Sequence, residues 1–192
     1  MKQVVDARKG EIMFGMNMIV HKGKTIFVAD TSVHEYPTSE QMAEIAISTA
    51  RVVRLFGFEP KVAFVSHSTF GQPVTSRTKH IKKAVDILKD KKVDFEFDGD
   101  MQPDVALNLE YEELYPFSKI VGKANILIMP GQHSAAISYK LMKTLGDTKV
   151  IGPLLIGLGL PIEIAPLRTS TSELINLASI AAYSAEKIDY SK

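Results

Sequence analysis

Four short segments of this chain hold the side chains able to do chemistry. Ser66-His67-Ser68-Thr69-Phe70-Gly71-Gln72 follows the apolar run Val62-Ala63-Phe64-Val65. Its hydroxyls, amide and glycine can surround an anion without a fixed charge, and the same residues equally suit a polar surface loop. Asp98-Gly99-Asp100-Met101-Gln102-Pro103-Asp104 sets three carboxylates close together. A hard cation could use them, but the terminal Glu of a calcium loop is missing and an Asp-Gly turn explains the pattern. Met129-Pro130-Gly131-Gln132-His133-Ser134-Ala135-Ala136 reads as a strand-to-helix junction. Gly131 permits close backbone approach there, and free N–H groups at a helix start favour a phosphate. The segment fits neither the phosphate-loop nor the dinucleotide fingerprint, and His133 serves as well for capping or packing. Arg168-Thr169-Ser170-Thr171-Ser172-Glu173 combines an arginine with a helix start. Ser170 and Glu173 have capping-box spacing, which accounts for both, while Arg168 could hold a phosphate beside them.

The elements that must position these segments follow from the hydrophobic pattern. Residues 12–20 and 25–29 flank His21-Lys22-Gly23-Lys24 and predict a β-hairpin. Thr38 with Gln41 opens a helix whose apolar stripe runs from Met42 to Phe56, with Gly57 as its stop. Buried strands are expected at 62–65, 93–97 and 125–129, with helices at 79–89, 103–114 and 134–145. Asp98-Gly99 reads as the turn closing the second of those strands. Short strands at 150–151, 154–156 and 162–164 precede a final helix over 171–187. Strands alternating with helices imply a three-layer α/β/α fold with a mainly parallel mixed sheet, to which the hairpin adds antiparallel pairing. In such sheets ligands bind beyond the carboxyl ends of the strands, where these four segments fall.

Composition narrows the function classes. The 192 residues suit about one domain, 45% are hydrophobic, and the net charge is +1. That balance argues against disorder and against a protein built to neutralise nucleic-acid phosphates. The lysines at 79, 82, 83, 89, 91 and 92 are offset by nearby acids, with no interleaved aromatic platform. The chain has no cysteine, so disulfides, thiolate metal sites and thiol nucleophiles are excluded. The charged first ten residues lack an apolar core for an export signal, and glycines and prolines break the stretch 150–166. The reading is a cytoplasmic protein with no membrane partner and no metal site of its own.

Taken together, "TIFVADTSVHEYPTSEQMAEIAISTARVVRLFGFEPKVAFVSHSTFG", "FDGDMQPDVALN", "GKANILIMPGQHSAAISYKLMKTLG" and "VIGPLLIGLGLPIEI" resemble successive blocks of the phosphate acetyl/butyryltransferase family. More narrowly, they resemble the phosphotransacetylase-like C-terminal domain of large bacterial NADP-dependent malic enzymes. The resemblance runs from about Gly10 to the last helix. It implies an acyl-CoA site in a cleft between two subdomains and a homodimer formed largely through the second. On that reading, residues 1–192 are a partial phosphotransacetylase-like domain: the second subdomain plus its closing helix. The first subdomain is absent, as are the malic-enzyme domains to which NADP and a divalent metal belong.

Transferases of the resembled family share a Ser-Arg pair before the last helix and an Asp in its first turn. Here those positions hold Pro166, Leu167 and Glu173. By the family mechanism the Asp deprotonates the CoA thiol, while Ser and Arg stabilise charge on the acyl phosphate. Proline and leucine can do neither, and losing a single preorganised donor costs ~10²–10³ in rate. The resemblance therefore implies a degenerate transferase site kept as an acetyl-CoA sensor, the effector acting on a distant dehydrogenase. Its implied acyl-CoA or phosphate contacts are Ser66, Ser68, Gln132, His133, Ser134, Tyr139, Lys140, Arg168, Ser170 and Glu173. The Pro130 to Ser134 junction would approach the acyl-pantetheine end, and Lys140 would face a phosphate. Two other readings remain: an active phosphate acetyltransferase, and a module that only holds subunits together.

Overall fold

The computed structural model describes residues 5–111 and 113–188. Residues 1–4 of the charged N-terminus, Glu112 within the expected 103–114 helix, and residues 189–192 lie outside the described residues.

Strands β1 (Phe14–His21) and β2 (Lys24–Ala29) pair antiparallel around a two-residue turn, Lys22-Gly23, whose φ angles are both positive. That backbone matches the twist of the flanking strands. Thr38 caps helix α1 (Ser39–Leu55) through a capping box with Gln41. Strand β3 (Lys61–Val65) leads to helix α2 (Ser76–Lys91), which has a second capping box, Thr75 with Thr78, and starts three residues earlier than its apolar stripe suggests. Strand β4 (Glu96–Met101), the short helix α3 (Pro103–Leu107) and a 3-10 turn at Leu109–Tyr111 come next. Strand β5 (Ile126–Ile128), helix α4 (Gln132–Leu145), strand β6 (Thr148–Ile156) and helix α5 (Thr171–Lys187) complete the chain.

The six strands form one sheet in the order β4-β3-β5-β2-β1-β6. Strands β4, β3, β5 and β2 pair parallel, while β1 is antiparallel to both β2 and β6. Alternate residues feed two cores, as the two-residue period of a strand demands. Phe27, Ala29, Val62, Phe64, Ile126 and Ile128 meet α1, α2 and α5 on one face. Val28, Ala63, Val65 and Leu127 meet α3 and α4 on the other. The three-layer α/β/α fold with its mixed sheet and N-terminal hairpin is thus the observed one.

Four local expectations change. The strand expected at 93–97 runs from Glu96 to Met101, so Asp98, Gly99 and Asp100 are sheet residues rather than a turn. Pairing with β3 sets Gly99 opposite Phe64, and a Cβ at Gly99 would lie 2.7 Å from the Phe64 Cβ. Close approach between strands, not turn chemistry, selects that glycine. The segments at 150–151 and 154–156 are one strand with a register shift opposite Met16 and Met18, where Gly152 and Pro153 sit. Residues 162–164 contribute a single bridge, Glu163 to Leu154. The helix expected over 103–114 ends at Leu107.

Candidate functional site

A cleft of about 570 Å³ opens beyond the carboxyl ends of β2, β3 and β5. Three connections build it: the β2–α1 loop with Glu35 and Tyr36, the β3–α2 loop with Ser66 and His67, and the β5–α4 junction with Pro130, Gly131, His133 and Ser134. Arg77 on α2 completes one wall and lies over the Tyr36 ring at 5.0 Å. Across the opening, His133 Nε2 and Glu35 Oε1 are 2.9 Å apart. A carboxylate only accepts, so His133 donates there. Ser134 Oγ donates to the Gly131 carbonyl at 2.8 Å.

The loops are fixed by two buried aspartates. Asp30 accepts from the Gly15, Ser32, Val33 and His34 N–H groups and lies 2.7 Å from His34 Nδ1. Burial works to raise its carboxyl, but the His34 ring and the backbone N–H groups outweigh it and hold it below the ordinary carboxylate value. From the loop so fixed, the His34 carbonyl accepts the Gln132 N–H at 3.0 Å, tying β2–α1 to the start of α4. Gly131 makes the join possible, since a Cβ there would run into the Glu35 carbonyl oxygen. Asp100 accepts the Ser68 hydroxyl and the Gly71 N–H, pinning the 66–72 loop.

A second cleft, about 230 Å³, lies where α4, β6 and the start of α5 meet. Tyr139, Lys140, Lys143, Pro166, Arg168 and Glu173 line it. Ser170 caps α5 in a capping box with Glu173, and Glu173 also pairs with Lys143 at 3.0 Å. The Ser170 N–H, the Lys143 ammonium and the Ser170 hydroxyl hold the Glu173 carboxyl down at about 2. So committed, it makes a poor base. Pro166 offers its carbonyl to the Thr169 N–H at 3.0 Å, and Leu167 projects fully into solvent.

The residues expected to share one site therefore fall into two groups. Ser66, His133 and Ser134 line the larger cleft, with Gln132 beside it at the helix start. Tyr139, Lys140, Arg168 and Glu173 line the smaller one, with Ser170 at its helix cap. Ser68 belongs to neither: it is fully buried and engaged by Asp100, so it supports the loop rather than a ligand. Sequence reasoning missed Asp30, Glu35, Tyr36 and Arg77. Glu35 and His133 are 98 residues apart, and no local pattern announces such a pairing. A third cleft, about 280 Å³ between α1, β6 and α5, contains Glu163. Among the described residues, no group of three or more His, Asp or Glu could hold a metal ion, and no helix is long and apolar enough to cross a membrane.

A six-stranded mixed sheet between two helix layers, with a cleft beyond the carboxyl ends of β2, β3 and β5, defines an α/β domain with its cleft where such sheets place ligands. Residues 1–182 match the family described as phosphate acetyl/butaryl transferase, and the chain belongs to that family. It is 45% identical over 184 residues to the NADP-dependent malic enzyme of Rhizobium meliloti, covering 96% of this chain and 24% of that protein. It is 32% identical to the phosphate acetyltransferase of Bacillus subtilis, covering 94% of this chain and 56% of that protein. Among solved structures, the EutD phosphotransacetylase of Staphylococcus aureus superimposes with a TM-score of 0.87 at 27% identity, covering 96% of this chain and 58% of that one. The chain thus spans about a quarter of the malic enzyme and just over half of the phosphate acetyltransferase.

Proposed function

We propose that this chain is an acyl-CoA-sensing, dimer-forming domain of a cytoplasmic NADP-dependent malic enzyme, its acyltransferase site degenerate. Acetyl-CoA is the effector, and oxidative decarboxylation of malate to pyruvate is the reaction it modulates from elsewhere in the protein. The reading is carried by the state of the three positions to which the resemblance assigns the family's Ser, Arg and Asp. Pro166 has no side-chain donor, Leu167 points into solvent, and Glu173 is held by Lys143 and its own helix cap. With such groups the charge that develops as an acetyl group passes between the CoA thiol and phosphate finds no preorganised partner.

Binding is a different requirement, and groups suited to it line the clefts. The larger offers hydroxyls and imidazoles around an acyl end, and the smaller offers Lys140 and Arg168 to the phosphates of CoA. Control then requires acetyl-CoA to prefer one global state of the whole protein. An outward stripe on α4 supports self-association: Ile137, Leu141 and Leu145 are 59%, 53% and 82% exposed at four-residue spacing.

In the full-length protein, malate oxidation should fall as acetyl-CoA rises, and His133→Ala or Lys140→Ala should shift that response to higher concentration. Unchanged inhibition in both variants would refute the sites. Arg168, one residue along from the family's arginine, favours a second reading as an active phosphate acetyltransferase. Robust acetyl phosphate formation from acetyl-CoA and phosphate would establish that reading instead.

A further inference from the structure

The larger cleft sets one carboxylate against its cationic and imidazole groups. Arg77, His67 and His133 line it as partners for an anion, and among the described residues that line it Glu35 is the one acid. Glu35 is not on a free loop. The residue before it donates its N–H to Asp30 at 2.7 Å, and that residue's carbonyl accepts the Gln132 N–H. Two residues after it, the Pro37 carbonyl lies 2.8 Å from His80 Nε2. Its own carbonyl abuts Gly131. The backbone at Glu35 is therefore anchored whatever His133 does, and from it the carboxylate reaches the opening, where it meets His133.

An acid on such a loop acts differently on two kinds of ligand. A phosphoryl dianion entering here meets a like charge and finds His133 already donating to Glu35. The acyl end of a thioester is uncharged and meets no such penalty. Like charges juxtaposed in a binding site act chiefly on specificity. We infer that Glu35 is a specificity determinant of this cleft, excluding free phosphoryl groups while admitting the thioester end of an acyl-CoA. The inference rests on the acyl-CoA reading above and adds to it a second obstacle to acyl transfer onto phosphate, independent of Pro166 and Leu167.

The test titrates inorganic phosphate, acetyl phosphate and acetyl-CoA separately into the full-length wild type, Glu35→Gln and Glu35→Asp, each checked by its melting curve. Glu35→Gln should bind both phosphates about five- to tenfold more tightly than wild type. Its acetyl-CoA affinity should move by less than about twofold, and Glu35→Asp, which keeps the charge, should exclude phosphate as wild type does. Adding His133→Ala to Glu35→Gln should remove most of the gain. Equal phosphate affinities in wild type and Glu35→Gln would overturn the inference. An acetyl-CoA gain as large as the phosphate gain would also overturn it, because the phosphates of CoA would then be what occupies the cleft. A phosphate gain with no acetyl-CoA binding in any variant would leave Glu35 as an anion filter and sink the acyl-CoA reading.

Discussion

Glu163 is the side chain whose burial has the clearest measurable consequence. It lies in the cleft between α1, β6 and α5, with the Leu155 N–H donating to it at 3.1 Å. Burial pushes its carboxyl up to about 7, and that single hydrogen bond offsets the effect only in part. The folded chain thus keeps a proton that the unfolded chain has already released above about pH 4.5. Stability from this group is full below that pH and declines as pH rises to about 7. The loss amounts to about 3 kcal/mol before any local relaxation. Glu163→Gln should flatten that slope, and denaturant unfolding at pH 5 and pH 8 measures it. An equal loss in both proteins between the two pH values would refute the assignment. Asp30 works in the opposite sense: its lowered carboxyl contributes stability above the ordinary Asp value and loses it in acid.

At the scale of elements, the start of α4 is the joint on which the larger cleft depends. Helices α1, α2 and α5 each begin with a side-chain capping box, whereas α4 begins at Gly131 with no side-chain cap. The backbone of the neighbouring loop does that work, since the His34 carbonyl takes the Gln132 N–H. Gly131→Ala should force the helix start and the Glu35 backbone apart. The expected cost is about 1–3 kcal/mol in unfolding free energy, as for other overpacked sites, with a parallel loss of acetyl-CoA affinity. A variant as stable as wild type, with unchanged affinity, would show that the joint relaxes freely. The capping box of α5 has a related effect on the smaller cleft. It fixes Glu173 as an ionised partner of Lys143 and leaves Lys140 and Arg168 as the remaining cations along that wall.

Across the whole molecule, the distribution of exposed apolar groups matters most. Only Ala135 of α4 is buried, while the helix turns Ile137, Leu141 and Leu145 outward. A second copy of the chain would bury such a stripe and gain about 25 cal/mol for each Å² of apolar surface removed from water. Leu141→Glu combined with Leu145→Glu places charge there without touching either core. Sedimentation should show this variant shifted toward the monomer relative to wild type. An unaltered oligomeric state would move the interface to another face.

Much of the fold could be read from local patterns, and the reasons are local. Thr38 with Gln41, and Ser170 with Glu173, announce helix starts because a capping box is written in four consecutive residues. The buried run at 62–65 and the turn at Lys22-Gly23 are equally self-contained. That Pro166 and Leu167 stand where the family has a hydroxyl and a guanidinium is an expectation carried by the order of its sequence blocks. Asp98-Gly99 misled because sheet pairing with Phe64 outweighed the propensity of two residues to turn. Tertiary structure alone decided that the expected contacts divide between two clefts, that Ser68 is buried on Asp100, and that Glu35 faces His133 across 98 residues of chain. Electrostatics and steric approach act through space, so the sequence determined which groups exist and how each element begins, and only folding determined which groups meet.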